Sequence, residues 1–183
     1  MKKYLMMIAA LVCCTVMITV MTACGNDDDD IVPVDLTPAF AEMEYSLNVG
    51  DDMLEKLDLT VEYRDDNGKL QTEAMTGKKW KKTVTAKLPV TLGVRLKAEL
   101  KEGVDPATIE AFSAEYSYLI HGYIKNAEHS VLSNFMEGND QTIPLTSENI
   151  NIWLETRASH LVNVFYDFAA DGKVKERSKK AEG

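Results

Sequence analysis

From Met43 onward apolar and polar residues alternate with period two. Met43, Tyr45, Leu47 and Val49 are interleaved with Glu42, Glu44, Ser46 and Asn48, the pattern of a strand with one face in a core and one in water. Leu57, Leu59, Val61 and Tyr63 repeat it against Lys56, Asp58, Thr60 and Glu62. Asp66-Asn67-Gly68-Lys69 is the strongest turn signal in the chain, because Asn-Gly supplies two residues that accept positive φ. A two-residue loop there predicts a hairpin with Tyr63 opposite Thr72 and Val61 opposite Ala74. Trp80, Val84, Ala86 and Leu88 predict another strand with Lys79 and Lys81 outward, and Leu92 to Leu100 one more after the break at Pro89.

The stretch 106–124 carries two patterns. Asp105-Pro106 suits a helix start, with Ile109, Phe112, Tyr116, Leu119 and Tyr123 near helical spacing. Tyr116, Tyr118, Ile120 and Ile124 instead share one face of a strand, and Gly122 with the tyrosines favours that reading, followed by a turn near Asn126 and a return through Val131 and Phe135. Gly138-Asn139-Asp140 reads as a loop. Thr146 or Ser147 is placed to cap a short helix over 147–157, with Ile150, Trp153 and Leu154 along one stripe. Val162, Val164, Tyr166 and Phe168 predict a late strand that turns at Asp171-Gly172 into 173–176. Seven to nine strands punctuated by turns predict a mainly β fold, a single antiparallel β-sandwich with one short helix.

The first residues follow another rule. Lys2 and Lys3 precede an uncharged apolar run from Tyr4 to Ala23, which ends in small residues at Cys24-Gly25. The run is long enough for a transmembrane helix, but its ending is that of a cleaved signal peptide. Met21-Thr22-Ala23-Cys24 resembles the lipobox of bacterial lipoproteins, with Met21 where that family prefers Leu. The resemblance implies cleavage before Cys24 and fatty-acid attachment, palmitate included, to its thiol, and two or three acyl chains hold a protein firmly on a membrane. The following Asn26-Asp27-Asp28-Asp29-Asp30 is a hydrated, self-repelling spacer. CGNDDDD also resembles the acidic export signal of Bacteroidetes surface lipoproteins. That implies an outer-membrane protein facing the cell exterior, the periplasm-facing orientation being the alternative. The sandwich likewise resembles the immunoglobulin-like domains of small Bacteroidetes lipoproteins, over about 39–176. The expected organisation is a signal peptide over 1–23, lipidated cysteine and disordered tether over 24–38, sandwich over 39–176 and disordered tail over 177–183.

Composition narrows the chemistry. The three cysteines, Cys13, Cys14 and Cys24, all fall in or at the end of the leader, so the domain is expected to have neither a disulfide nor thiol chemistry. The chain has 20 basic and 29 acidic residues; loss of Lys2 and Lys3 with the leader leaves 18 against 29, a formal charge of −11, which argues against nucleic acid as a partner. His121, His129 and His160 lack metal-site spacing, and consecutive aspartates without a turning glycine do not converge on calcium. Ser113, Ser117 and Ser130 have no recognisable base partner. Neither a catalytic centre, nor a cofactor, nor a metal is expected. The basic run Lys78-Lys79-Trp80-Lys81-Lys82 suits a polyanion or headgroup patch, or cross-strand pairs from Lys79 and Lys81 to Asp58 and Glu62 with Trp80 in the core. Tyr116, Tyr118, Tyr123, Trp153 and Tyr166 serve either as a sugar platform or as core. The reading that follows is a non-catalytic, membrane-anchored domain binding an envelope protein or a glycan. Its alternative is a structural or accessory subunit whose sheet edges pair with another chain.

Overall fold

The computed structural model describes residues 34–177. They contain nine strands: β1 (Phe40–Val49), β2 (Leu57–Arg64), β3 (Leu70–Ala74), β4 (Lys79–Lys87), β5 (Val90–Leu100), β6 (Phe112–Lys125), β7 (Val131–Leu145), β8 (Val162–Phe168) and β9 (Val174–Glu176). Two helices, α1 (Asp51–Lys56) and α2 (Ile150–Arg157), and single 3₁₀ turns at Pro106–Thr108 and Ala158–His160 complete the list. Sheet A has the order β4-β1-β6-β7 and sheet B the order β3-β2-β5-β8-β9, with every neighbouring pair antiparallel. This is the β-sandwich that the alternation predicts. Its strand order has its own signature: the immunoglobulin arrangement keeps its fourth and fifth strands in one sheet, whereas β4 and β5 lie in opposite sheets.

The alternating apolar residues meet between the sheets. Met43 and Leu47 of β1, Val61 of β2, Leu92 and Leu96 of β5 and Ile120 of β6 are all fully buried, each contributing about 1.5–3 kcal/mol through burial. Residues 112–125 form the strand rather than the helix, because Ala114, Ile120 and Ile124 close the core at period two. The helix expected over 147–157 is α2, which buries Ile150 and Trp153. Its start differs from the expected cap: neither Thr146 nor Ser147 provides a capping side chain. Asn149 occupies that place, its Oδ1 accepting the Thr146 N–H at 2.7 Å.

Three further expectations are corrected. Gly138, Asn139 and Asp140 lie inside β7, opposite Leu119, Tyr118 and Ser117; a continuous partner strand outweighs their turn-forming preference. The β2–β3 hairpin is shifted by one residue, so Tyr63 faces Gln71 and Val61 faces Glu73. Asp65 explains the shift. Its N–H bonds the Lys69 carbonyl, and its Oδ1 accepts from the Asn67 and Lys69 N–H groups, each at 2.9 Å, leaving Asp66, Asn67 and Gly68 (φ +72°) as a three-residue loop. A one-residue slip exchanges faces, which turns Gln71 and Glu73 toward the interior and leaves Leu70 half exposed. Lys79 and Lys81 do not pair with Asp58 and Glu62, because β4 joins the other sheet. The two lysines face Asn48 and Ser46 of β1, while Glu62 takes Arg95 (3.4 Å) and Lys97.

At the sandwich margin, Glu73 joins the two sheets. Its carboxylate accepts from Lys82 Nζ at 2.8 Å, Trp80 Nε1 at 2.9 Å and Tyr63 OH at 2.8 Å. Those donors, Lys82 first, hold its carboxyl far below the ordinary value, at about 2. Trp80 is buried, as expected, against Tyr45 and Tyr63. At one end of the sandwich Asn126 is fully buried. Its Nδ2 donates to the Asp35 carbonyl (2.7 Å), and its Oδ1 accepts from the Glu128 (3.1 Å) and Ser130 (2.8 Å) N–H groups. The segment preceding β1 is therefore tied to the β6–β7 turn from Asp35 onward.

Candidate functional site

A β-sandwich has four sheet edges, and each exposes unpaired main-chain donors and acceptors. Three of them are blunted. β3 is five residues long and β9 three. β4 carries Lys79, Lys81 and Lys87 outward, a charge that discourages pairing with any strand lacking matching carboxylates. β7 differs in length: Pro144 and a bulge near Val131 mark its two ends, and the stretch from Asn134 to Thr142 between them contains no proline. It runs for 15 residues, contains no lysine or arginine and, among the described residues, pairs with β6 alone.

Hydrogen-bond phase fixes which β7 groups face outward. Gly50 N–H donates to the Glu115 carbonyl at 2.8 Å, one step beyond the β1–β6 register. In an antiparallel ladder bonded and non-bonded pairs alternate, so odd-numbered β6 residues bond β1 and even-numbered ones bond β7. Ile120 and Gly122 face Glu137 and Phe135, which makes the odd positions of β7 the inward-bonded ones. The main-chain N–H and C=O of Asn134, Met136, Gly138, Asp140 and Thr142 therefore point away from the sheet.

Side chains build a floor and a rim around this edge. On the core side the Phe135 ring lies over Gly122, where an added Cβ would sit 2.2 Å from it, and packs on Tyr166 (4.7 Å) and Phe168 (6.3 Å). Beside it, Glu137 accepts hydrogen bonds from Tyr118 OH (2.6 Å) and Tyr166 OH. Desolvation, reinforced by this carboxylate, pushes both tyrosine hydroxyls well above their ordinary pKa. They are held protonated as donors. On the outer face Met136 is 64% exposed and Leu119 is 45% exposed, giving the rim an apolar character.

A second feature lies on the outer face of sheet A. A shallow depression of about 350 Å³ is lined by Glu44, Ser46, Lys81, Thr83, Leu119 and His121. His121 Nδ1 is 3.9 Å from Glu44 and 3.4 Å from Tyr123 OH. It offers groups of both charge signs, and Leu119 supplies part of its apolar surface.

The residues singled out in the sequence are scattered. Cys24 and Asp27, Asp28, Asp29 and Asp30 lie outside the described residues. Of the five aromatics, Trp153 and Tyr166 are buried, and Tyr116 and Tyr118 point toward the interior half-buried. Tyr123 alone is on the outer face, so they form no row. His121 belongs to the depression, His129 stacks on Phe40 (4.6 Å) in the β6–β7 turn, and His160 sits in a 3₁₀ turn. Ser113 donates to Glu115 and Ser117 accepts from Asn48. The basic run is divided by the pleat: Lys79 and Lys81 face solvent, and Lys82 faces the sheet interface.

Fold and edge together define a two-sheet antiparallel β-sandwich with one long margin free of lysine and arginine. No protein-family model, no curated protein and no solved structure matches the chain.

Proposed function

We propose that this protein is a lipid-anchored, outward-facing binding module of the bacterial envelope. Its non-catalytic sandwich takes an extended segment of a protein partner alongside β7. The observation behind this reading is the contrast among the edges: two are short, one is lined with lysines, and the fourth runs from Asn134 to Thr142 without lysine, arginine or proline. Strand addition draws affinity from main-chain hydrogen bonds and specificity from alternate side chains. Each such bond has a net worth of about 0.5–1.5 kcal/mol. The five outward-facing residues from Asn134 to Thr142 thus need the contribution of the Met136 rim and the Glu137 floor to offset the cost of association. A protein strand suits this geometry better than a glycan does, because four of the five candidate aromatics point inward and Tyr123 alone offers no row for sugars to stack on.

The anchor belongs to the same reading. Cys24 carries the lipid, and Asp27–Asp30 carry the export address. Replacing Cys24 by Ala should move the protein from the membrane fraction to the soluble one, and continued membrane retention would overturn the anchor. Replacing the four aspartates by Ala should remove protease accessibility on intact cells. For the edge, a photo-crosslinking residue at position 136 should trap a protein on intact cells, and one at Thr72 on the opposite sheet should not. Equal trapping at both positions, or none at 136, would refute the edge.

A further inference from the structure

We propose that the strand received by β7 is β4 of a second copy of this chain, so that sheet A continues from one molecule into the next. The proposal rests on the reading of β7 as a pairing edge and adds the identity of its partner.

The first support is directional. β4 and β7 are the two margins of one four-stranded sheet in which every neighbour is antiparallel, so they run in opposite directions. A copy shifted sideways, with the usual inter-strand twist, therefore presents β4 antiparallel to β7 without being turned over. The second support is charge. β7 contains Glu137 and Asp140 and no cation, whereas β4 contains Lys79, Lys81, Lys82 and Lys87 and no carboxylate. Among the described residues no carboxylate lies within 4.0 Å of Lys79, Lys81 or Lys87.

A single register satisfies both charges. With Asp140 opposite Lys79, Glu137 falls opposite Lys82, because each pair is separated by three positions along strands running in opposite senses. The faces agree: Asp140 and Lys79 lie on the outer surface, and Glu137 and Lys82 lie toward the core side. Gly138, with the Leu119 side chain lying beside it, falls opposite Lys81. Lys82 already bonds Glu73, but an ammonium has three donors.

Main-chain phase is the third support. Val49 N–H donates to the Lys78 carbonyl and Leu88 N–H to the Ala39 carbonyl, both at 3.0 Å, so even-numbered β4 residues bond β1. The odd residues Lys79, Lys81, Thr83 and Thr85 thus direct their N–H and C=O outward. In this register they face Asp140, Gly138, Met136 and Asn134, whose groups also point outward. Pairing β7 with a second β7 about Gly138 also satisfies the phase, but it gathers four carboxylates and no cation. A β7–β4 contact is heterologous, and a heterologous contact that does not close into a ring grows into an open chain.

The test uses the full chain purified in detergent micelles, followed by sedimentation velocity over a hundredfold range of concentration. The expected result is a series of species extending past the dimer at low salt and collapsing at high salt. Asp140→Lys and Lys79→Glu should each weaken association at least tenfold, and the double variant should recover it. The double variant also controls for any single variant that folds poorly. A monomer at all concentrations overturns the proposal, as does association that stops at a dimer or ignores both charge reversals. If the chain stays monomeric while position 136 still cross-links to a different protein on cells, only the second copy is lost. If both signals are absent, the edge reading falls with it.

Discussion

Removing the Glu73 carboxylate should loosen the junction between the two sheets in a pH-dependent way. The folded carboxyl sits at about 2 against an ordinary 4.5, so protonation competes with three hydrogen bonds. At full value that shift is worth about 3 kcal/mol, but the side chain is 38% exposed and solvent screening reduces the figure to about 1–2 kcal/mol. Glu73→Gln preserves the shape and loses the charge, so its cost at pH 7 should be about 1–2 kcal/mol. Glu73→Ala also leaves the buried Trp80 Nε1–H without its acceptor, raising the cost to about 2–4 kcal/mol. The sign follows from the depressed pKa: the stabilisation is complete above about pH 5, falls as pH drops from 4.5 toward 2, and vanishes below that. Urea unfolding of residues 34–183, a compact unit, monitored by tryptophan fluorescence across that range, measures it directly. The gap between wild type and Glu73→Gln should narrow steadily on acidification. A gap that stays constant from pH 7 to 2.5, or a Glu73→Ala cost under about 0.5 kcal/mol, would refute the reasoning.

Other positions give equally direct tests. A Cβ at Gly93 would lie 2.3 Å from the Phe165 ring and 2.5 Å from the Val164 carbonyl, so Gly93→Ala should cost about 2–3 kcal/mol in the same assay. Asn126→Ala removes three hydrogen bonds from a fully buried side chain. It should cost about 2–4 kcal/mol and accelerate amide exchange at Glu128 and Ser130 far more than in β2. Met136→Pro deletes an outward N–H and should cost under about 1 kcal/mol, whereas Asn139→Pro, at a side chain that is also exposed, deletes a ladder bond to β6 and should cost about 3 kcal/mol or more. Equal costs for the two prolines would show that the edge phase is assigned wrongly.

The parts of the fold visible in the sequence are those set by local alternation. β1, β2, β5 and β8 could be read almost residue by residue, because water on one face and a core on the other impose period two. The β2–β3 register could not, since it depends on whether the Asp65 carboxylate caps the turn, and Asn-Gly alone is silent on that. Gly138-Asn139-Asp140 misleads for the converse reason: three turn-forming residues are carried through β7 by the pairing of β6. The lysines of β4 were expected opposite Asp58 and Glu62 because strands near in sequence usually neighbour in space, yet β3 and β4 lie in different sheets. The β7 edge was the least legible feature. Being an edge is a property of topology, and the absence of lysine and arginine from Val131 to Leu145 gains meaning only once β7 is known to lie at the margin.

The place of β1 has a mechanical consequence. Any pull delivered through the residues before Val34 arrives first at the Asp35–Asn126 bond and then at the start of β1. β1 is an interior strand, bonded along nearly its whole length to β4 on one side and β6 on the other. A tug along its axis must shear two ladders together instead of unzipping one bond at a time. The same point of attachment at the margin of the sheet would let the domain be peeled open; here, tension entering at Val34 is met by both ladders of β1 at once.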